Sequence, residues 1–174
     1  MGAELEPLKM ERDGFTTQVK DADPSATGVD QLDFVVATNP GGPAGPLAKI
    51  ASGGELSRFL LALKVCLSRA GAQNTMIFDE IDRGVGGATA DAVGRRLSRL
   101  AKDAQVLVVT HSPQVAALGD RHFQVAKQQS PDMTLSRVDL LSDTARVNEI
   151  ARMISGDTIT TEARAAARTL IEGR

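Results

Sequence analysis

The spacing of apolar positions changes several times along the chain. Met1 to Arg12 is charged, with Leu5 and Leu8 as a fragmentary helical pattern. Phe15, Thr17 and Val19 alternate with polar neighbours and predict a half-buried strand, and Leu32 to Thr38 (LDFVVAT) predicts a second. Between them Asp21 to Asp30, with Pro24, Ser25 and Gly28, predicts a turn-rich connection. Asn39 to Pro46 (NPGGPAGP) predicts a loop too short to link domains. The period then lengthens. Phe59, Leu60, Leu63 and Leu67 recur at helical spacing within Glu55 to Arg69, and Leu61, Val65 and Cys66 widen the apolar face, so a largely buried helix is expected.

Two short apolar runs follow, each ending in polar residues. Thr75 to Phe78 (TMIF) and Gln105 to Thr110 (QVLVVT) have the form of buried parallel strands, with an amphipathic helix over Ala88 to Lys102 between them. A short helix is expected after Pro113, edge strands over Arg121 to Lys127 and Met133 to Leu140, and closing helices over Asp143 to Ile154 and Thr161 to Glu172. The strand–helix–strand–helix order predicts an α/β fold with a mostly parallel sheet flanked by helices. Met76, Met153 and the helically spaced leucines fit a core and not a cofactor box.

Composition narrows the class. At 174 residues, 42% of them hydrophobic, the chain can hide about 70% of its extended surface and needs no staples. Five Phe without Trp or Tyr argue against a base-stacking platform. Twenty basic against 22 acidic side chains leave a net charge of −2, so any contact with DNA must be local or shared with other chains. The single cysteine, Cys66, excludes an internal disulfide and a cysteine-rich zinc site. No apolar stretch approaches the roughly 20 residues that span a bilayer, and no signal-peptide pattern opens the chain, so a soluble cytoplasmic domain without a membrane partner is expected.

Three places carry candidate chemistry. Ser52-Gly53-Gly54-Glu55 puts two glycines at the start of a helix, where free N–H groups and the helix dipole can hold a phosphate and the Ser52 hydroxyl adds a donor; alone, the tetrapeptide fits an ordinary N-cap better. Asp79 and Glu80 end an apolar strand, on the edge of a parallel sheet where ligands bind. Adjacent acids there point in different directions, so one can meet a water of Mg²⁺ and the other an attacking water; alone, they fit a polar strand end better. Thr110-His111 lies past the second strand on the same edge. A mononuclear metal hydrolase built on Asp79, Glu80 and His111 is conceivable, with His122 the only further histidine and the ligand set correspondingly thin. Arg95, Arg99 and Lys102 share a helix face that fits DNA phosphates less well than a solvated exterior.

Taken together, a glycine-capped helix, an apolar strand ending Asp-Glu and an apolar strand ending in His follow the motif order of the ABC-type ATPases. Ser52 to Glu55 resembles their signature motif, Thr75 to Glu80 their Walker B motif, and His111 their switch histidine. NPGGPAGPLAKIASGGELSR (Asn39 to Arg58), IFDEIDRGVGGATADAVG (Ile77 to Gly94), VTHSPQVAALGDRHF (Val109 to Phe123) and EIARMISG (Glu149 to Gly156) are similar to the SMC-like members that act in bacterial DNA double-strand break repair. The resemblance runs from about Leu8 to the end of the chain. It implies that residues 1–12 are the returning stub of a coiled coil and residues 13–174 the C-terminal lobe of an ATPase head.

By the same resemblance Asp79 holds the Mg²⁺ hydration shell, Glu80 is the general base, and His111 senses the γ-phosphate. Ser52, Gly53, Gly54 and Glu55 reach the nucleotide of a second head. The implied cofactors are ATP and Mg²⁺. The implied partners are an N-terminal lobe of the same protein, a second head, and DNA through the full-length protein, on the nucleoid after damage. None of the lysines follows a glycine, so a Walker A loop is lacking, and no Q-loop precedes the signature; the chain alone is expected to be inactive. Two positions depart from the pattern. Glu55 stands where transporters have Gln, which is normal in this branch. Gly86 falls where a D-loop aspartate is expected, and Asp82 is not assigned that part. The rival expectations are a non-catalytic docking module with passive carboxylates, and the head of another SMC-like or transporter ATPase.

Overall fold

A computed structural model describes residues 4, 8, 14–26, 28–37, 44–47, 53–67, 75–129 and 133–173, without the side chains of 14, 15, 53–55, 57 and 67. Among these residues the order is β1 (Gly14–Ser25), β2 (Gly28–Ala37), β3 (Gly45–Pro46), α1 (Gly53–Leu67), β4 (Thr75–Asp79), α2 (Gly87–Leu100), β5 (Gln105–Val109), α3 (Pro113–Ala117), β6 (Phe123–Gln129), β7 (Thr134–Leu140), α4 (Asp143–Ser155) and α5 (Thr161–Glu172). β1, β2 and β3 form one antiparallel sheet, β4 and β5 a parallel pair, and β6 and β7 an antiparallel hairpin. The fold is α/β, with its parallel pairing confined to β4 and β5 among the described residues.

The expected turn-rich connection over Asp21 to Asp30 is instead the far end of a hairpin. β1 and β2 pair from Gly14 with Ala37 to Asp21 with Asp30, the register then shifts, and Ser25 pairs with Gly28. The cross-strand ladder overrides the local turn preferences of Pro24, Ser25 and Gly28. Only the base of the hairpin enters the core, through Val35 and Val36, and Phe34 meets Phe59 of α1 with ring centroids 6.0 Å apart.

α1 and α2 supply the main core. Phe59, Leu61, Ala62 and Val65 of α1 meet Ala90, Val93, Leu97 and Leu100 of α2, with Phe78 from β4 and Ile81 just beyond it. Cys66, expected on the apolar face of α1, is exposed, as is Leu60; the buried stripe is narrower than the run of apolar letters suggests. Burial of a leucine or phenylalanine side chain contributes about 1.5–3 kcal/mol, so these few residues carry much of the fold.

β4 and β5 pair in register from Thr75 with Gln105 to Asp79 with Val109. Their alternation puts Met76, Phe78, Val106 and Val108 toward the helices. The opposite face carries Ile77, Leu107 and Val109, which are 70%, 44% and 52% exposed. Expected to be buried on both faces, this pair is covered on one face only among the described residues, although parallel strands are ordinarily covered on both.

A second, alanine-rich cluster joins α3, α4 and α5 through Ala117, Ile150, Ala151, Ala163 and Ala167, with Met153 packed against it. Ser142 Oγ accepts from Ala145 N and starts α4; Thr160 Oγ1 accepts from Ala163 N at 3.1 Å and starts α5. Arg146 is buried where α4 meets α3, and its Nη2 donates to the carbonyl oxygens of Ala116, Ala117 (2.8 Å) and Gly119. That guanidinium supplies a donor to carbonyls where the short α3 ends, Ala116 O accepting from Gly119 N as well. No described helix is long and apolar enough to cross a membrane.

Candidate active site

The carboxyl ends of β4 and β5 meet at Asp79 and Val109, and the chain turns sharply after both. Glu80 has φ +49°, the one non-glycine residue with positive φ among those described. That conformation is costly for a residue with a Cβ and concentrates at functional sites. Bonds on both sides hold it: Glu80 N donates to Val109 O at 3.1 Å, and Arg83 N donates to Glu80 O at 3.0 Å. The Glu80 carboxylate is half exposed and accepts from Arg83 Nη1 at 3.2 Å, an ion pair wet enough to be weak.

After the turn, Gly84 and Gly87 both take positive φ, which glycine alone adopts without strain, and α2 begins at Gly87. On the neighbouring strand His111 follows Thr110 and is exposed. Glu80 and His111 line one cavity of about 530 Å³, with Arg83, Gly86, Ser112 and Met153 among the other walls. The two sequence candidates lie 31 positions apart and meet because their strands are parallel and in register.

Asp79 does not line that cavity. By alternation it shares the bare face of the pair with Thr75 and Ile77. Among the described residues no three His, Cys, Asp or Glu side chains converge on a metal position. A self-contained metal hydrolase on Asp79, Glu80 and His111 therefore has no ligand set here. One exposed carboxylate suits Mg²⁺, which keeps most of its waters and is bound through one or two carboxylates plus substrate phosphates. Ser52 lies outside the described residues. The backbone of Gly53, Gly54 and Glu55 is the first turn of α1.

The basic face of α2 is paired. Arg95 binds Asp91 at 2.8 Å and Arg99 binds Glu4 at 3.0 Å, while Arg96 also meets Glu4 at 3.2 Å. Those contacts leave less free charge for phosphates than the spacing of Arg95, Arg99 and Lys102 suggests. His122 is half-buried, and burial, followed by the nearby Arg146 guanidinium, pushes its pKa below the ordinary value against a smaller opposing effect from Glu149.

The sequence alone left Asp82 without a role. It is 7% exposed, and its Oδ2 accepts from Thr110 Oγ1 and, at 3.2 Å, from Ser112 N. An acid three positions after Asp79 inside a glycine-rich turn was the available signal; its partners, 28 and 30 positions away, were not visible locally.

No family model matches the chain. Its sequence is similar to the DNA repair protein RecN of Rickettsia prowazekii, with 47% identity over 172 residues, 98% of this chain and 31% of that protein. RecN of Xylella fastidiosa (strain Temecula1) is 50% identical over 149 residues, covering 86% and 27%, and RecN of Streptomyces coelicolor is 48% identical over 146 residues, covering 84% and 26%. The chain thus spans about a third of the length of the curated relatives it matches. In three dimensions it is similar to an SMC head domain with coiled coil and joint from Pyrococcus yayanosii (TM-score 0.60, 21% identity, 84% of this chain and 27% of that one). It is also similar to a chain described under ATP-driven dimerization and DNA-stimulated activation of SMC ATPases (TM-score 0.54, 20% identity, 87% and 88%). At those identities the likeness concerns the fold.

Proposed function

We propose, from the premise that this chain is a C-terminal segment of the RecN type with the fold of SMC ATPase heads, that it supplies half of an ATP-hydrolysing head used in DNA double-strand break repair. Residues 13–174 form the C-terminal lobe, and residues 1–12 return from a coiled coil. The observation that carries the reading is the pairing of Glu80 and His111 on one cavity at the carboxyl edge of β4 and β5.

Glu80 is the general base, its carboxylate accepting a proton from water as that water attacks. The residue is held in a strained backbone between two hydrogen bonds, which favours one carboxylate position over many. His111 donates a ring N–H to a phosphate oxygen and reports its loss. Asp79 faces a hydrated Mg²⁺. Ser52, Gly53, Gly54 and Glu55, at the N-terminus of α1, turn their N–H groups and hydroxyl toward the nucleotide of a second head. ATP with Mg²⁺ contributes the third phosphate, which is what lets two heads share one ligand.

A phosphate cradle has to come from an N-terminal lobe. The bare row Ile77, Leu107 and Val109 supports such a partner, since an apolar face of parallel strands is normally covered. The four-residue apolar patch Phe123, Val125, Val138 and Leu140 on one face of the β6–β7 hairpin supports it equally. On this reading DNA is engaged by the full-length protein, in the cytoplasm.

The same apolar faces favour a second reading, a docking module whose carboxylates are passive. Joining this chain with its N-terminal lobe separates the two. Under the first reading the pair hydrolyses ATP, the chain alone does not, and Glu80→Gln lowers kcat at least about a hundredfold while nucleotide still binds and heads accumulate as dimers. Assembly with turnover unchanged by Glu80→Gln would instead establish the docking module.

A further inference from the structure

The turn after Glu80 and the loop bearing His111 are joined by a buried carboxylate that the motif roles leave unused. Asp82 sits in the turn Ile81–Gly84, where Val85 N donates to Asp82 O at 3.2 Å. Its Oδ2 accepts from Thr110 Oγ1 and from Ser112 N, and Ser112 N also donates to Thr110 Oγ1 at 2.9 Å. The two donors flank His111 in sequence. Among the described residues no cation pairs with Asp82, so its desolvation is offset by hydrogen bonds alone.

We propose that Asp82 is a positioning residue: through Thr110 Oγ1 and the Ser112 amide it fixes the His111 loop against the turn that carries Glu80, so that both groups face the same cavity. The inference rests on the catalytic reading of Glu80 and His111. Glu80 is two residues before Asp82, and α2 starts five residues after it. A shift of the glycine-rich turn is therefore passed to His111 through the carboxylate and not through the sheet alone. The exposed imidazole takes its place from the backbone on either side of it.

The test uses the two-lobe head with Mg·ATP and compares Asp82→Ala, Asp82→Asn and Thr110→Val. In Asp82→Asn the amide oxygen accepts both hydrogen bonds, whereas Asp82→Ala loses both and Thr110→Val loses the hydroxyl at constant shape. Asp82→Ala is expected to lower kcat about ten- to a hundredfold with KM for ATP changed less than about twofold, the effect of misplacing a group by a fraction of an ångström to an ångström. Thr110→Val falls in the same direction, the double variant is no worse than the weaker single one, and Asp82→Asn keeps more than about a third of kcat. Amide exchange at Ser112 in the 174-residue chain quickens at least about tenfold in Asp82→Ala and stays slow in Asp82→Asn.

Unchanged kcat in Thr110→Val, a loss that Asp82→Asn does not restore, or Ser112 exchange indifferent to Asp82→Ala overturns the proposal. If Asp82→Ala does not fold, Asp82→Asn and Thr110→Val decide the matter. A parent head that does not hydrolyse ATP, or that ignores Glu80→Gln, refutes the catalytic reading, and Ser112 exchange then decides on the clamp independently.

Discussion

Gly94 of α2 packs directly against α3, and an alanine there tests how tightly the two helices are pressed together. A Cβ at Gly94 would stand 2.7 Å from Leu118 Cδ1, 3.3 Å from Val115 Cα and 3.5 Å from Gln114 O. The residue is in a helix interior, so alanine gains roughly 1 kcal/mol of helix propensity. Against that, Leu118 Cδ1 is the end of a side chain that must move although it is only 8% exposed, and Val115 Cα is backbone that must give by a few tenths of an ångström. Overpacking of this kind costs about 1–3 kcal/mol. The clash wins, and Gly94→Ala is expected to lose about 1 kcal/mol net, lowering Tm by about 3 °C for a chain of this length. Leu118→Ala removes the atom in the way. In that background Gly94→Ala is expected to be less harmful by at least about 1 kcal/mol, a coupling measurable by urea unfolding of the four proteins in the cycle. Stabilisation by Gly94→Ala in the parent chain, or a coupling within about 0.3 kcal/mol of zero, would refute the packing argument.

Three further outcomes follow from other contacts. Arg146→Met keeps the aliphatic bulk but leaves the carbonyls of Ala117 and Gly119 without the guanidinium donor and Ala116 O with only the Gly119 amide, and about 2–3 kcal/mol of stability should disappear in urea titrations; a change under about 0.5 kcal/mol contradicts this role. His122 has a folded pKa below its unfolded value, so the unfolded chain binds the extra proton first. Its contribution is intact above pH about 6.5 and is lost as pH falls toward the folded pKa, with a slope of at most about 1.4 kcal/mol per pH unit. His122→Gln should flatten that part of the pH–stability curve, and parallel curves for the two proteins would count against the assignment. Ile77→Asp, at a 70% exposed position, should alter the stability of the chain alone by less than about 0.5 kcal/mol yet weaken association with an N-terminal lobe at least about tenfold. Undiminished co-purification would mean that the bare sheet face is not the docking surface.

Much of this could be read from local pattern. The limits of α5, Thr161–Glu172, agree residue for residue with the expectation, since Thr160 caps one end and Gly173 follows the other. β4 and β5 were marked by apolar runs ending in polar residues, and the candidates Glu80 and His111 by their place just beyond those runs. Their meeting on one cavity follows from parallel pairing, which strand order already implied, and from a register that the structure supplies. Apolar letters, spacing and caps act over a few residues, so a linear reading can recover whatever depends on them.

What needed the tertiary structure is what depends on partners far along the chain. Asp21 to Asp30 carries turn-forming residues, yet cross-strand hydrogen bonds draw most of it into β1 and β2. Ile77, Leu107 and Val109 look as apolar as Phe78 and Val108, and only the side on which α1 and α2 pack distinguishes the covered face from the bare one. The charges of Arg95 and Arg99 were plain in the sequence, but the carboxylates that neutralise them depend on how α2 is placed. Asp82 reads as one acid among several until folding buries it and brings Thr110 and Ser112 to its oxygen. The chain by itself determined its elements and the kinds of chemistry at their ends. The tertiary structure decided which face stayed bare and which carboxylate became a clamp, because burial and hydrogen bonding are properties of neighbours in space.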